Sequence, residues 1–179
     1  MPLIHLVRHA EPAGSWGSHP DPGLSELGRA QARAVVRTLA GLSPRATVSS
    51  PLLRCQETAA PFAVVAGLAP RIEPRVAEIS ASPDDPDPRA RLMALLEGTW
   101  SGSELAGWRA GVGAALLELE HDTVVFSHFV AINAAVSLAM GADAVTVFKP
   151  GHASVTTLEA GPAGLRLVRL GDEAAIALT

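Results

Sequence analysis

The chain has 179 residues, with 18 Asp+Glu against 14 Lys+Arg and a formal net charge of -4. That length suits one domain able to bury about 70% of its unfolded surface, and a composition 48% hydrophobic and 18% charged excludes a disordered tail. The single cysteine, Cys55, excludes a disulfide framework and a four-cysteine zinc site, while the acidic balance argues against a nucleic-acid or membrane-surface binder. In chain order, residues 3–7 form a short apolar run, read as a strand buried on both faces of a parallel sheet. Leu27, Ala30, Ala34, Val35 and Leu39 follow at helical spacing, with Ser25 as the N-cap. Residues 46–49 make a second strand. Pro51 is placed to open a helix, and Pro61 to kink or restart it. Residues 71–76 are a third candidate strand.

Residues 80–88 hold three prolines and three aspartates and read as a loop. Helices are expected near 89–97 and 104–120, a strand at 123–127 and a helix at 130–140. The tail pairs 155–159 with 165–170 around Gly161-Pro162-Ala163-Gly164, a hairpin with a four-residue turn. Strands alternating with helices imply an α/β sheet, largely parallel, with room for an antiparallel edge. Residues 1–8 have no basic stretch ahead of their apolar run, so no signal peptide is expected. The longest apolar stretch, 129–142, is interrupted by Asn133 and Ser137 and is shorter than the ~20 residues of a membrane span. A soluble, cytoplasmic protein is the expectation.

In an open α/β sheet, ligands bind beyond the carboxyl ends of the strands. The first strand ends in Arg8-His9. The second is followed by Ser49-Ser50 and Arg54, the third by Glu78, and the fourth ends in Ser127-His128. Two arginines, two histidines and a carboxyl group thus converge on one edge. Any one of them alone is more often a surface or capping group, but four strand ends agree. Two guanidiniums suit a phosphate dianion. One histidine can carry a phosphoryl group as nucleophile, and a second, protonated, can stabilise the transferring oxygens. A carboxylic acid can protonate the leaving oxygen and then activate water. No Gly-x-x-x-x-Gly-Lys loop, His-Glu-x-x-His helix or cysteine cluster offers a competing scheme.

Leu6-Val7-Arg8-His9-Ala10-Glu11 resembles the Arg-His-Gly motif of the histidine phosphatase superfamily, the phosphoglycerate-mutase-like fold. Leu24-Ser25-Glu26-Leu27-Gly28-Arg29 is similar to that family's next helix start. Ser50-Pro51-Leu52-Leu53-Arg54 is similar to its second arginine segment, and Val124-Val125-Phe126-Ser127-His128 to its second histidine strand. The resemblance implies a single domain over 1–179. It would be three-layered, with a mostly parallel central sheet, helices on both faces and a short cap insertion at about 79–108. It implies His9 as the phosphorylated nucleophile, Arg8, His9, Arg54 and His128 as the phosphate pocket, and Glu78 as general acid. Neither metal nor cofactor is implied. His128-Phe129 lacks the His-Asp of the acid-phosphatase branch and belongs with the branch that uses a glutamate. Ala10 and Phe129 stand where glycines are common, and an Asp/Pro loop replaces the family's Gly-x-Trp-Glu-Gly. Asp84 and Asp85 in that loop are the alternative acids.

The reading is a metal-independent phosphomonoesterase acting on a small phosphorylated metabolite, with no nucleic-acid or membrane partner. Its rivals are phosphoglycerate-mutase-type transfer, a protein phosphohistidine phosphatase and a non-catalytic phosphate binder. A mutase needs basic groups in the cap, and 77–108 offers only Arg89 and Arg91 against six acidic residues. Other residues receive structural assignments. Glu11 should brace the loop after His9, Cys55 should be a small buried hydrophobe, and His5 should reach a neighbouring strand. His19 and His121 read as solvated loop residues, and His152 as a turn residue, with the pocket rim as its alternative. Trp16, Trp100 and Trp108 are candidates for an apolar pocket mouth, against ordinary packing.

Overall fold

The structure is a computed structural model that describes residues 1–14, 19–80 and 86–174. Its six-stranded sheet comprises β1 (Leu3–Arg8), β2 (Ala46–Ser49), β3 (Arg71–Ile72), β4 (Thr123–Ser127), β5 (Val155–Gly161) and β6 (Gly164–Arg169), in the order β3-β2-β4-β1-β5-β6. The pairs β1–β4, β2–β4 and β2–β3 are parallel, while β1–β5 and β5–β6 are antiparallel. The helices are α1 (Glu26–Gly41), α2 (Leu53–Ala66), α3 (Pro88–Leu96), α4 (Ala106–Leu117) and α5 (Phe129–Met140).

Alternation along the central strands divides the core in two. Val7, Val124 and Phe126 face a cluster completed by Val35 and Leu39 of α1 and Phe62 of α2. Ile4, Leu6 and Val125 face the opposite cluster, with Val112 and Leu116 of α4 and Ile132 and Val136 of α5. Helices thus cover both faces, and the architecture is the three-layered, phosphoglycerate-mutase-like α/β fold.

Several elements differ from the sequence expectation. The buried stripe of α1 is Gly28, Ala32, Val35 and Leu39, whereas Leu27, Ala30 and Ala34 are exposed. Gly28 sets this orientation. A Cβ there would overlap the Glu11 carbonyl oxygen and lie 3.0 Å from its carbon, so only glycine lets the helix start press against the loop after β1. The third strand stops at Ile72. Pro74 has no N–H for the ladder, and the Glu73 carboxylate caps a 3-10 turn, Pro74–Val76, by accepting from the Arg75 N–H. Pro51 precedes α2 rather than opening it, and α2 runs unbroken through Pro61. The tail hairpin closes with Gly161 paired to Gly164, leaving a two-residue loop.

Residues 79–108 divide in character. Leu95 and Leu105 pack on the core, and Trp100 is 1% exposed within it, stacked on Trp108 at 6.1 Å between centroids. The Trp100 N–H bonds to the Asp143 carbonyl, and the Val145 N–H to that of Gly98. Trp100 and Trp108 are therefore packing residues and not a pocket mouth. Trp16 lies outside the described residues.

Candidate active site

Sheet register places the candidate residues. β1 and β2 both flank β4 in parallel, with Arg8 opposite Ser127 and Ser49 opposite Phe126. Their carboxyl ends are therefore level. The ladder continues one step beyond, with the His9 N–H bonded to the Ser127 carbonyl (2.9 Å) and the Ser50 N–H to that of Phe126 (3.0 Å). β5 runs the other way, so the segment before it arrives at the same edge. The Arg8 N–H bonds to the Ser154 carbonyl and the Ala153 N–H to that of Arg8. From β3 the chain turns back through Val76, whose carbonyl accepts from the Ser127 hydroxyl at 2.8 Å. That brings Glu78 to the start of α5, where its carboxyl oxygens accept from the N–H groups of Val130 (3.1 Å) and Ile79 (3.2 Å).

Arg8, His9, Arg54 and Glu78 line one open cavity of about 1130 Å³. His9 is 6% exposed. Its Nδ1 lies 2.8 Å from the Ala10 carbonyl, an acceptor, so this nitrogen carries the proton and Nε2 keeps its lone pair. Burial, with lesser repulsion from Arg54, Arg8 and His152, brings the His9 pKa down to about 3, so the ring is neutral at pH 7. The Arg8 guanidinium donates to the Pro150 carbonyl (2.8 Å) and lies 5.3 Å from the Phe129 ring centroid. Among the described residues, its buried Nε–H has no partner. Arg54 is 8% exposed, with the Asp21 carboxylate 3.9 Å away. Burial raises the Glu78 pKa above the ordinary carboxylate range, against the pull of two backbone N–H bonds and both arginines.

His128 is fully buried, with its ring centroid 5.2 Å from that of His9. The Ser50 hydroxyl lies 2.8 Å from its Nε2 and the Cys55 thiol 3.3 Å. Burial, with lesser contributions from His9, Arg54 and Arg8, holds it well below the usual imidazole range. A phosphate dianion entering beside it would act in the opposite direction, toward the protonated ring of the sequence reading. Cys55 is buried, as a small hydrophobe would be, and also touches His128.

Glu11 accepts from the Ser25 hydroxyl at 2.7 Å and its N–H bonds to Gln31, tying the loop after His9 to α1. His5 reaches Thr157 on β5 at 3.1 Å. His19 lies on the cavity rim and accepts from the Asp21 N–H. Asp84 and Asp85 lie outside the described residues.

His152 lies in a turn, as expected, and also lines the cavity, 5.8 Å from the His9 ring. Burial, reinforced by Arg8, brings its pKa down to about 4. The signal was the tail hairpin, since a strand antiparallel to β1 must begin where β1 ends. Thr58 was overlooked. It lies one helical turn after Arg54, where its hydroxyl accepts from the Ala10 N–H (3.0 Å) and donates to the Arg54 carbonyl (2.6 Å). The loop after His9 and Arg54 are thereby joined. Among the described residues, no group of three or more His, Cys, Asp or Glu is placed to hold a metal ion, and no helix is long and apolar enough to cross a membrane.

Residues 4–94 match the histidine phosphatase superfamily (branch 1). Among curated proteins, the PE-PGRS family protein PE_PGRS11 of Mycobacterium tuberculosis is 37% identical over 100 residues, 52% of this chain and 17% of that protein. The uncharacterized protein Rv0525 of the same species is 44% identical over 79 residues, 42% of this chain and 39% of its own. The matches thus span well under half the length of these two relatives. Among solved structures, mycobacterial glucosyl-3-phosphoglycerate phosphatase Rv2419c superposes with a TM-score of 0.78 at 24% identity, covering 97% of this chain and 100% of that one. Its complex with inorganic phosphate gives 0.75 at 25% identity, over 97% and 98% of the two chains. A phosphoserine phosphatase of Entamoeba histolytica, in complex with 3-phosphoglyceric acid, gives 0.76 at 19%, over 96% and 98%.

Proposed function

The chain belongs to branch 1 of the histidine phosphatase superfamily, and from that premise we propose that it is a metal-independent phosphomonoesterase working through a phosphohistidine on His9. The carrying observation is the His9 tautomer. With Nδ1 spent on the Ala10 carbonyl, the neutral ring offers Nε2 as its nucleophilic atom, in the cavity that holds Arg8, Arg54 and Glu78. The phosphate dianion sits between the two guanidiniums, and its oxygens supply the acceptor that Arg8 Nε lacks. The Nε2 lone pair forms the N–P bond as the ester P–O bond breaks, and Glu78 gives its proton to the departing oxygen. Water then attacks phosphorus, its proton passes to Glu78, the N–P bond breaks and inorganic phosphate leaves. His128, its ring centroid 5.2 Å from that of His9, completes the phosphate pocket with Arg8 and Arg54.

The same reading makes 79–108 the cap over the leaving group and a small phosphorylated metabolite of the cytoplasm the substrate. His9→Ala tests it on nitrophenyl phosphate. Wild-type turnover should persist in chelator, and the variant should lose it while keeping its melting temperature. Substantial turnover in the variant, or wild-type activity that needs an added divalent ion, contradicts the proposal.

A further inference from the structure

The cavity wall has two chemistries. Its charged and imidazole groups crowd the sheet edge, around His9. The side nearest α3 is built by Ile79, Leu92, Leu96, Phe129 and Val130. Leu92 and Leu96 are four residues apart and so share one helix face. The wall also carries Pro12, Pro20, Pro22 and Leu52. Arg8 and Arg54 are the cavity's only arginine or lysine among the described residues. Segments 15–18 and 81–85 read Ser-Trp-Gly-Ser and Ala-Ser-Pro-Asp-Asp, so they bring no basic side chain. On α3, Arg91 is 3.8 Å from Glu104, and Arg89, one turn before Leu92, is exposed and outside the wall.

Building on the phosphomonoesterase reading, we infer that the alcohol half of the substrate is uncharged and largely apolar, an alkyl, prenyl-like or aryl phosphate seated against Ile79, Leu92, Leu96 and Phe129. Two guanidiniums match one phosphate dianion, and Asp21 already draws on Arg54. A second anionic group on the alcohol would lie against leucine with no cation to meet it, at the cost of its hydration. The volume, about 1130 Å³, slightly exceeds the roughly 300–1,000 Å³ of ordinary ligand pockets. Phosphate fills a small part of it. An apolar alcohol also seals Glu78 from water, preserving the burial that favours its protonated form.

The experiment measures kcat/KM for n-alkyl phosphates of increasing length, nitrophenyl phosphate, phosphoserine and 3-phosphoglycerate. The substrates are given to the wild type, Leu92→Asn, Leu96→Asn and Arg89→Ala. Wild-type kcat/KM should rise by up to about fourfold for each methylene that becomes buried, and phosphoserine and 3-phosphoglycerate, whose alcohol halves carry a carboxylate, should fall at least ~100-fold below esters of similar size with an uncharged alcohol half. The asparagine variants should flatten the chain-length slope. A flat wild-type series, or a preference for the carboxylate-bearing esters, overturns the inference. A preference for those esters that Arg89→Ala abolishes overturns it too, by identifying Arg89 as the missing cation. These results leave the phosphatase reading intact while nitrophenyl phosphate is turned over. If no ester is hydrolysed, both fall.

Discussion

Glu78→Gln should separate proton donation from phosphate binding. The side chain keeps its shape but loses the proton, so the loss should follow the leaving group's need for it. For an alkyl phosphate the alkoxide leaves badly unprotonated, and general acid catalysis contributes ~10²–10⁴-fold. A nitrophenolate leaves with little help, so that ester should slow far less. Misfolding is an insufficient explanation on the structure's own terms. Glutamine retains one of the two acceptor oxygens that meet Val130 and Ile79, a loss of about 1 kcal/mol. Against this stands the removal of a carboxyl that burial disfavours in its ionised form. Because its folded pKa is raised, the native state holds this proton more tightly than the unfolded chain. Its contribution therefore falls as pH rises above the unfolded value of about 4.3. The variant should gain stability relative to wild type between acidic and neutral pH. The assay is kcat for both esters across pH, beside chemical denaturation of both proteins. Equal losses on both esters, or an unchanged alkyl rate, would refute Glu78 as the acid. The same comparison with Asp84→Asn and Asp85→Asn would then locate it.

Gly28→Ala should destabilise the protein by about 1–3 kcal/mol, as overpacking does, and lower kcat as well, because the Glu11 carbonyl it displaces belongs to the loop after His9. Unchanged melting temperature and kcat would show that α1 does not press on that loop. Glu73→Gln tests an ion-pair cluster away from the cavity. Glu73 is 5% exposed and meets Arg75 and Arg71, which, with Arg75 the larger influence, bring its pKa down to about 2. The gap from the ordinary carboxylate value corresponds to ~3 kcal/mol, and the exposure of both arginines reduces that to ~1–2 kcal/mol. Since the folded pKa is lowered, this stabilisation is present above the unfolded value and lost as pH falls toward 2. The wild-type advantage in urea denaturation should therefore shrink across that window. An advantage independent of pH would contradict the cluster's charge assignment.

Most of the fold's logic was legible because buried parallel strands are short apolar runs and their carboxyl ends carry the polar residues. Arg8-His9 and Ser127-His128 needed no more than that. What escaped depended on contacts between distant segments. The face of α1 was misread because Leu27 looks more like a core residue than Gly28, and only the approach of Glu11 gives glycine its value there. The end of β3 turned on Pro74 and a side-chain cap, which local apolarity does not reveal. His152 was left between turn and pocket rim because its neighbourhood to His9 follows from antiparallel pairing of β5 with β1, which sequence spacing does not fix.

The central claim is covalent phosphorylation of His9, and rapid mixing with nitrophenyl phosphate, alkaline quenching and mass spectrometry of the peptides tests it most directly. Wild type should carry an acid-labile, alkali-stable phosphoryl group on His9 that decays as inorganic phosphate appears, and His9→Ala should carry none. Turnover without that adduct, or with the label on another residue, would contradict the account.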